Sequence, residues 1–276
     1  MTYAVRSASA RFGDTLALQE VTLLVEPGSV VAVVGGDGAG KTTLLRALVG
    51  EVRLERGEVD APPPEAIGYM PATAGSWLSL TVAQNMNFVG GIYGLSGAAL
   101  ATRRSELLDR AKLGSVLDRL SSQLSGGMRR KLGFSMAMVH DPPLLVLDEP
   151  STGIDPVSRV DLWRLVSEAA SAGAAVVMST TYLDEAERAA SLLALDGGRT
   201  LASGTLAEVL SSFSGAITAI AVPARRTWAW RRGRQYHEYW PAASEVPSGT
   251  VVVTPDLEDV VIALSMLKAH EREPAS

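Results

Sequence analysis

The sequence predicts an α/β fold built around a mainly parallel sheet, and three observations carry that expectation. Short continuous apolar runs recur along the chain: VVAVVGG from Val30, AIGYM from Ala66, LLVLD from Leu144, AAVVMST from Ala174 and LLALD from Leu192. Runs of this length without polar alternation fit strands covered on both faces. Helical patterns separate them, and three end at a glycine, the usual stop signal: KTTLLRALVG at Gly50, ALATRRSELLDRAKLG at Gly114 and SRVDLWRLVSEAASAG at Gly173. Strands alternating with helices give a parallel sheet with helices on its faces.

Taken in order, residues 3–26 read as two or three short strands ending in the Pro27-Gly28 turn. The strand from Val30 and the helix from Lys41 follow. Residues 73–140 are mostly helical and interrupt the alternation, so they form a helical lobe. After about Ser214 the texture changes. ITAIAVPARRTWAWRRGRQYHEYW is aromatic and arginine-rich, and GTVVVTPDLEDVVIALSMLKA reads as a strand followed by a helix. The expected division is a main domain over 1–213 and a small C-terminal unit over 214–276.

Composition bounds the function. The 276 residues suit one large domain with a small appendage, and with 47 % hydrophobic against 20 % charged residues a large core can form. A net charge of −5 argues against broad adhesion to nucleic acid. The absence of cysteine excludes disulfides and thiol chemistry. No run of about 18 apolar residues is present and MTYAVRSASARF lacks the apolar core of a signal peptide, so a cytoplasmic protein is expected.

The chemistry concentrates in four motifs. GGDGAGKTTL contains Gly35, Gly40, Lys41 and Thr42 in the pattern G-x-x-x-x-G-K-[ST]. Alone, that is a glycine-rich turn with a surface lysine. Here it lies between a buried strand and a helix, where converging backbone N–H groups and the positive helix end suit phosphates. Lys41 would reach the β- and γ-phosphates, and the Thr42 hydroxyl a Mg²⁺ ion. LLVLDEP ends a buried strand in Asp148 and Glu149, one carboxylate for a metal and one to polarise water. LSGGM opens a helix with Ser125, Gly126 and Gly127, a second helix start suited to an anion. STGIDP follows the carboxylates directly.

In this order and spacing the motifs resemble the ATP-binding subunits of ABC transporters over about residues 3–210, most closely the drug and natural-product exporter branch. IGYMP, LSGGMRRKL, VHDPPLLVLDEPSTGIDP and YLDEAE carry the resemblance, and PDLEDVVIAL is similar to the short tail of such subunits. It implies a P-loop NTPase cassette with an N-terminal antiparallel β subdomain, a helical lobe and a small C-terminal α+β tail. It also implies a head-to-tail dimer with a second cassette, each ATP lying between the loop of one copy and the LSGG helix of the other. Phe12 would stack on adenine, while Gly35, Gly36, Asp37, Gly38, Ala39, Gly40, Lys41, Thr42 and Thr43 would hold the nucleotide. Thr42 and Asp148 would support Mg²⁺ and Glu149 would orient the attacking water. Ser125, Gly126 and Gly127 would contact the partner's γ-phosphate, and Asp155 would link the two sites. A separate transmembrane permease subunit would hold the protein on the inner face of the cell membrane. Its dock would be the stretch Ser76 to Tyr93, with Trp77, Leu78, Leu80 and Phe88 exposed.

Two positions depart from that pattern. The glutamine that follows the YMP strand in the family is Ala72 here, and the histidine that precedes YLDEAE is Thr181. The three histidines, His140, His237 and His270, lie elsewhere in sequence. Gly36 and Asp37 replace the usual Pro-Asn or Pro-Ser, and Asp37 adds a negative charge beside the phosphates. Three functions compete: an exporter ATPase, an ATP-gated clamp that completes a partner's active site while hydrolysing little itself, and a soluble cassette protein of translation or DNA maintenance. The third usually needs two cassettes or a coiled coil, and this sequence has neither. The Arg-rich tail reads as an amphipathic hairpin around RRGR, with its arginines in water. A membrane or partner contact is the alternative, and no nucleic acid is expected.

Overall fold

The structure, a computed structural model, describes residues 2–242 and 244–272. Its centre is a six-stranded sheet of order β5-β6-β7-β3-β8-β9, formed by β3 (Val30–Val34), β5 (Ile67–Met70), β6 (Leu144–Leu147), β7 (Ala175–Thr180), β8 (Ser191–Asp196) and β9 (Arg199–Gly204). The pairs β3–β7, β3–β8, β5–β6 and β6–β7 are parallel, and only β9 runs antiparallel, against β8. Every residue of β3, β6 and β7 is buried, as unbroken apolar runs require.

The period of two assigns the two faces. Val31, Val33, Val146 and Val177 pack with Leu44, Leu45 and Leu48 of α1 (Lys41–Leu48). Over α1 lies a three-stranded antiparallel sheet, β2-β1-β4, made of β1 (Tyr3–Phe12), β2 (Thr15–Val25) and β4 (Arg56–Asp60). The opposite residues, Leu145, Leu147, Val176 and Met178, share a cluster with α2 (Val82–Ile92), α3 (Gly97–Arg110), α4 (Gly126–Ala137) and α5 (Pro156–Ser171). The helices between residues 73 and 140 therefore pack into the core of the central sheet.

Three details differ from expectation. Residues 3–26 form two long strands, kept continuous across register shifts. In those stretches Ser7 and Glu20 adopt φ of 46° and 51°, and their amides turn to the hydroxyls of Thr22 and Ser9. β4 was not foreseen; all five of its residues are exposed, so it shows no burial pattern and exists through pairing with β1. The helix expected to stop at Gly114 ends at Arg110, and Lys112, at φ 57°, takes the left-handed position instead.

After a short α6 (Leu183–Ala186) and α7 (Leu206–Ser212), the chain builds a four-stranded antiparallel sheet of order β11-β12-β10-β13. Its strands are β10 (Ala216–Ile220), β11 (Ala229–Arg232), β12 (Gln235–Trp240) and β13 (Val251–Val253). The last helix, α8 (Leu257–Arg272), packs on both sheets: Leu257 and Val260 join Leu192 and Ala194, while Ala263 joins Ile217 and Tyr239. The tail arginines are not simply solvated. Arg225 pairs with the fully buried Glu238 at 3.1 Å and lies 3.6 Å over the Trp240 ring. Arg232 pairs with Asp256, Glu258 and the buried Asp259. Arg231 covers Tyr236. These contacts spend two of the cations on internal acids, because β12 and α8 bring Glu238 and Asp259 beneath them. No helix among the described residues is long and apolar enough to cross a membrane.

Candidate active site

The loop from Gly35 to Gly40 leaves the carboxyl end of β3 and turns into α1. Gly40 caps that helix at φ 103°, where a Cβ would lie 2.6 Å from the Ala17 carbonyl oxygen, so only glycine fits. The amides of Gly38, Gly40, Lys41, Thr42 and Thr43 have no acceptor among the described residues. They face a cleft of about 260 Å³ lined by Thr15, Leu16, Ala17, the stretch 37–43 and Glu149. Unpaired amides at a helix start form an anion site. Lys41 is 95 % buried, donating to the carbonyls of Gly35 at 2.8 Å and Gly36 at 3.1 Å, with Glu149 Oε1 3.3 Å away.

Asp148 and Glu149 stand at the end of β6. Asp148 is buried and accepts from Thr42 Oγ1 at 3.2 Å and from Ser179 Oγ at 2.6 Å. Ser179 in turn accepts from the Glu149 amide at 2.8 Å, so one hydroxyl fixes both acidic positions. Glu149 takes φ 46°, an uncommon conformation for a side chain of its size, and its Oε2 accepts from Thr152 Oγ1 at 3.1 Å. Among the described residues no cluster of three or more His, Cys, Asp or Glu could cage a metal. A hydroxyl beside one carboxylate does suit Mg²⁺, which keeps waters and shares ligands with phosphate oxygens.

Ser125 caps α4, accepting from the Met128 amide at 3.2 Å. Asp155 caps α5, accepting from the Ser158 amide and hydroxyl, and these hydrogen bonds lower its pKa. The two helix starts touch: a Cβ on Gly127 would lie 2.2 Å from Ser158 Oγ. Ser125, Gly126 and Gly127 do not line the cleft beside Lys41.

A family model for the ABC transporter matches residues 18–152. The chain is 35 % identical over 219 residues to the Nod factor export ATP-binding protein I of Cupriavidus metallidurans, covering 75 % of this chain and 72 % of that one. The chain belongs to the ABC transporter ATP-binding family. It is also 37 % identical to the daunorubicin/doxorubicin resistance ATP-binding protein DrrA of Streptomyces peucetius, over 73 % of this chain and 64 % of that protein. Against the probable multidrug ABC transporter ATP-binding protein YbhF of Escherichia coli it is 36 % identical over 73 % of its length, but spans only 37 % of the relative. A solved ATP-binding subunit of an ABC transporter superposes with a TM-score of 0.71 at 29 % identity, over 77 % of this chain and 93 % of the other.

Within this cassette the structure brings Gly35–Thr43, Asp148 and Glu149 together. Phe12 is half exposed at the end of β1, outside the residues that line the cleft. Ala72 is exposed, and Arg130 of α4 donates to its carbonyl. Thr181 is exposed, and its side chain has no hydrogen-bond partner among the described residues. Its neighbour Thr180 is anchored instead, donating to Glu185 at 2.6 Å. Sequence reasoning missed Ser179, Arg130 and Glu185. The signal for Ser179 was a polar pair, Ser179-Thr180, closing an apolar strand beside the one that ends in Asp148. The buried Glu185 gave none, because YLDEAE reads as a solvated helix start.

Proposed function

We propose that the chain is the ATP-hydrolysing subunit of an exporter, works with a separate membrane-spanning permease and a second cassette on the inner face of the membrane, and turns ATP over slowly at its own site. The observation that carries this reading is the pairing of five unpaired amides of the loop and the α1 start, together with the Lys41 side chain, with Asp148 and Glu149 at one sheet end. The export names of the relatives support the direction of transport. Lys41 exchanges its carbonyl partners for phosphate oxygens. Thr42 and Asp148 would hold Mg²⁺, which would supply screening of the phosphate charge and Lewis-acid polarisation of the phosphate oxygens. Glu149 accepts a hydrogen bond from the attacking water and directs it. Ser125, Gly126 and Gly127 close the partner's nucleotide, and Asp155 borders that interface. Ala72 and Thr181 offer no long polar side chain and no imidazole, which favours slow turnover and leaves the clamp as the second reading.

Lys41→Ala tests the phosphate site. Losing charge-assisted contacts worth about 1.5–3 kcal/mol weakens ATP binding by roughly 10- to 150-fold, read by equilibrium titration with Mg-ATP. Equal affinity in wild type and variant rules the site out.

The dock is tested separately. Trp77 and Phe88 make an edge-to-face pair at 4.6 Å although both are over 40 % exposed, and Leu78 and Ile92 extend the patch. Leu80, expected to be exposed, is only partly so. Trp77→Ala with Phe88→Ala should weaken co-purification with the co-expressed permease by about 30-fold or more, as loss of an aromatic anchor does. ATP affinity stays unchanged. Undiminished co-purification removes this patch from the interface.

A further inference from the structure

We propose that Arg130 is a positioning residue that ties the LSGG helix of this chain to its own Glu149 through Thr152, and to the loop after β5 through the backbone of Ala72. The proposal rests on the reading of Glu149 as the group that directs the attacking water.

The guanidinium of Arg130 is a fork. One nitrogen, Nη1, donates to the Ala72 carbonyl, and the other, Nη2, donates to the Thr152 carbonyl at 3.2 Å. Thr152 Oγ1 donates to Glu149 Oε2 at 3.1 Å, so two hydrogen bonds and one residue separate the cation from the carboxylate. The Glu149 backbone is held at φ 46° and braced by Ser179, which leaves its side chain to be aimed by Thr152 and Lys41. Burial pulls the Arg130 pKa below the ordinary arginine value, while Glu149 and then Asp148 pull it up, so the guanidinium feels both acids without touching either.

The same helix face grips the Ala72 loop a second time. One turn on, a Cβ on Gly133 would lie 2.4 Å from the Ala74 carbonyl oxygen, and Ala74 is buried. The loop after β5 therefore follows α4 through Arg130 and the close approach at Gly133. Neither contact uses the side chain at position 72. A cassette with alanine there keeps a physical link between the helix that Ser125 caps and the carboxylate at its own nucleotide.

The test uses the full-length chain in single-turnover hydrolysis, with protein in excess over Mg-ATP, alongside ATP affinity. Arg130→Ala is expected to slow hydrolysis about tenfold, with affinity within about twofold. Thr152→Val, which removes only the hydroxyl, is expected to do the same, and Thr152→Ser to restore most of the rate. Arg130→Lys, a single donor head in place of the fork, recovers only part of it. The double variant, Arg130→Ala with Thr152→Val, should be no slower than the slower single variant, because both act on one contact. An unchanged rate in Thr152→Val overturns the proposal even if Arg130→Ala fails to fold. So does a proportional loss of affinity, or effects of the two substitutions that multiply. The series is repeated with Ala72→Gln and Thr181→His present, and each ratio is read within its own background. A faster background with no effect of Arg130 overturns this proposal alone. An unchanged background with the Arg130 effect intact overturns the slow-site reading alone. No hydrolysis in either background overturns both.

Discussion

Ala72→Gln combined with Thr181→His should raise steady-state ATP turnover of the isolated chain by about 10²-fold, with little change in ATP affinity. One preorganised donor in an active site is typically worth about 10²–10³ in rate. Two such groups act as a unit, so the pair is not expected to give the product of two such factors. The local structure favours gain over damage. Both positions are exposed, so the larger side chains meet no packed core. Both sit on backbone that is already held: the Ala72 carbonyl by Arg130, and the Thr181 segment by Thr180, which accepts from the Tyr182 amide and donates to Glu185. On the proposed reading, only the terminal chemistry differs. In a mixed dimer arranged as proposed, where Ser125 would serve the partner's nucleotide, disrupting that serine should harm total turnover more than Glu149→Gln in this chain. The measurements are phosphate release and ATP titration on wild type, the single variants and the double variant. Wild-type turnover at several per second, unchanged by the restoration, makes the two departures neutral and leaves an ordinary exporter ATPase.

The parallel sheet was legible because burial on both faces leaves an unbroken apolar run, and β3, β6 and β7 are of that kind. The exposed strand β4 was not, since its identity comes from pairing with β1 and no side chain of RGEVD records that. The helix stop at Gly114 was misplaced because a lysine tolerates one left-handed position when the backbone around it is bonded; Lys112 and Leu113 amides return to Asp109 and Leu108. The phosphate loop and the two acids were legible as contiguous motifs. The residues that brace them were not, because Ser179 meets Asp148 only through the fold and Arg130 reaches the Thr152 carbonyl, next to Glu149, only the same way. The tail misled in a similar way. Five arginines look solvated in sequence, yet Arg225 and Arg232 face buried Glu238 and Asp259 supplied by other elements. His140, whose place in the turn between α4 and β6 says little in sequence, stacks 3.6 Å over Tyr93, and burial lowers its pKa.

Arg159→Ala should cost about 3–5 kcal/mol of stability, the largest loss expected from a single side chain near the site. Glu185 is 97 % buried and its partners come from three segments. Ser151 Oγ donates to Oε2 at 2.8 Å, Thr180 Oγ1 donates to the same oxygen at 2.6 Å, and Arg159 Nε donates to Oε1 at 3.2 Å. Arg159 supplies the only positive charge in direct contact among the described residues, and it also lies 4.0 Å over the Tyr182 ring. Truncating it leaves a buried carboxylate with two neutral donors, an uncompensated charge rather than a lost surface pair. At roughly 2–4 °C per kcal/mol for a chain of this size, the midpoint of thermal unfolding falls by about 6–20 °C. Asp184→Asn is the control, because Asp184 is half exposed and its pairing with the same arginine contributes about 0–1 kcal/mol. Adding Glu185→Gln to Arg159→Ala should recover part of the loss, since the buried charge is then gone. A shift of less than about 2 °C in Arg159→Ala would show that water reaches Glu185. The knot joining Ser151, Thr180 and α5 would then brace the segment carrying Thr181 through its hydroxyls alone.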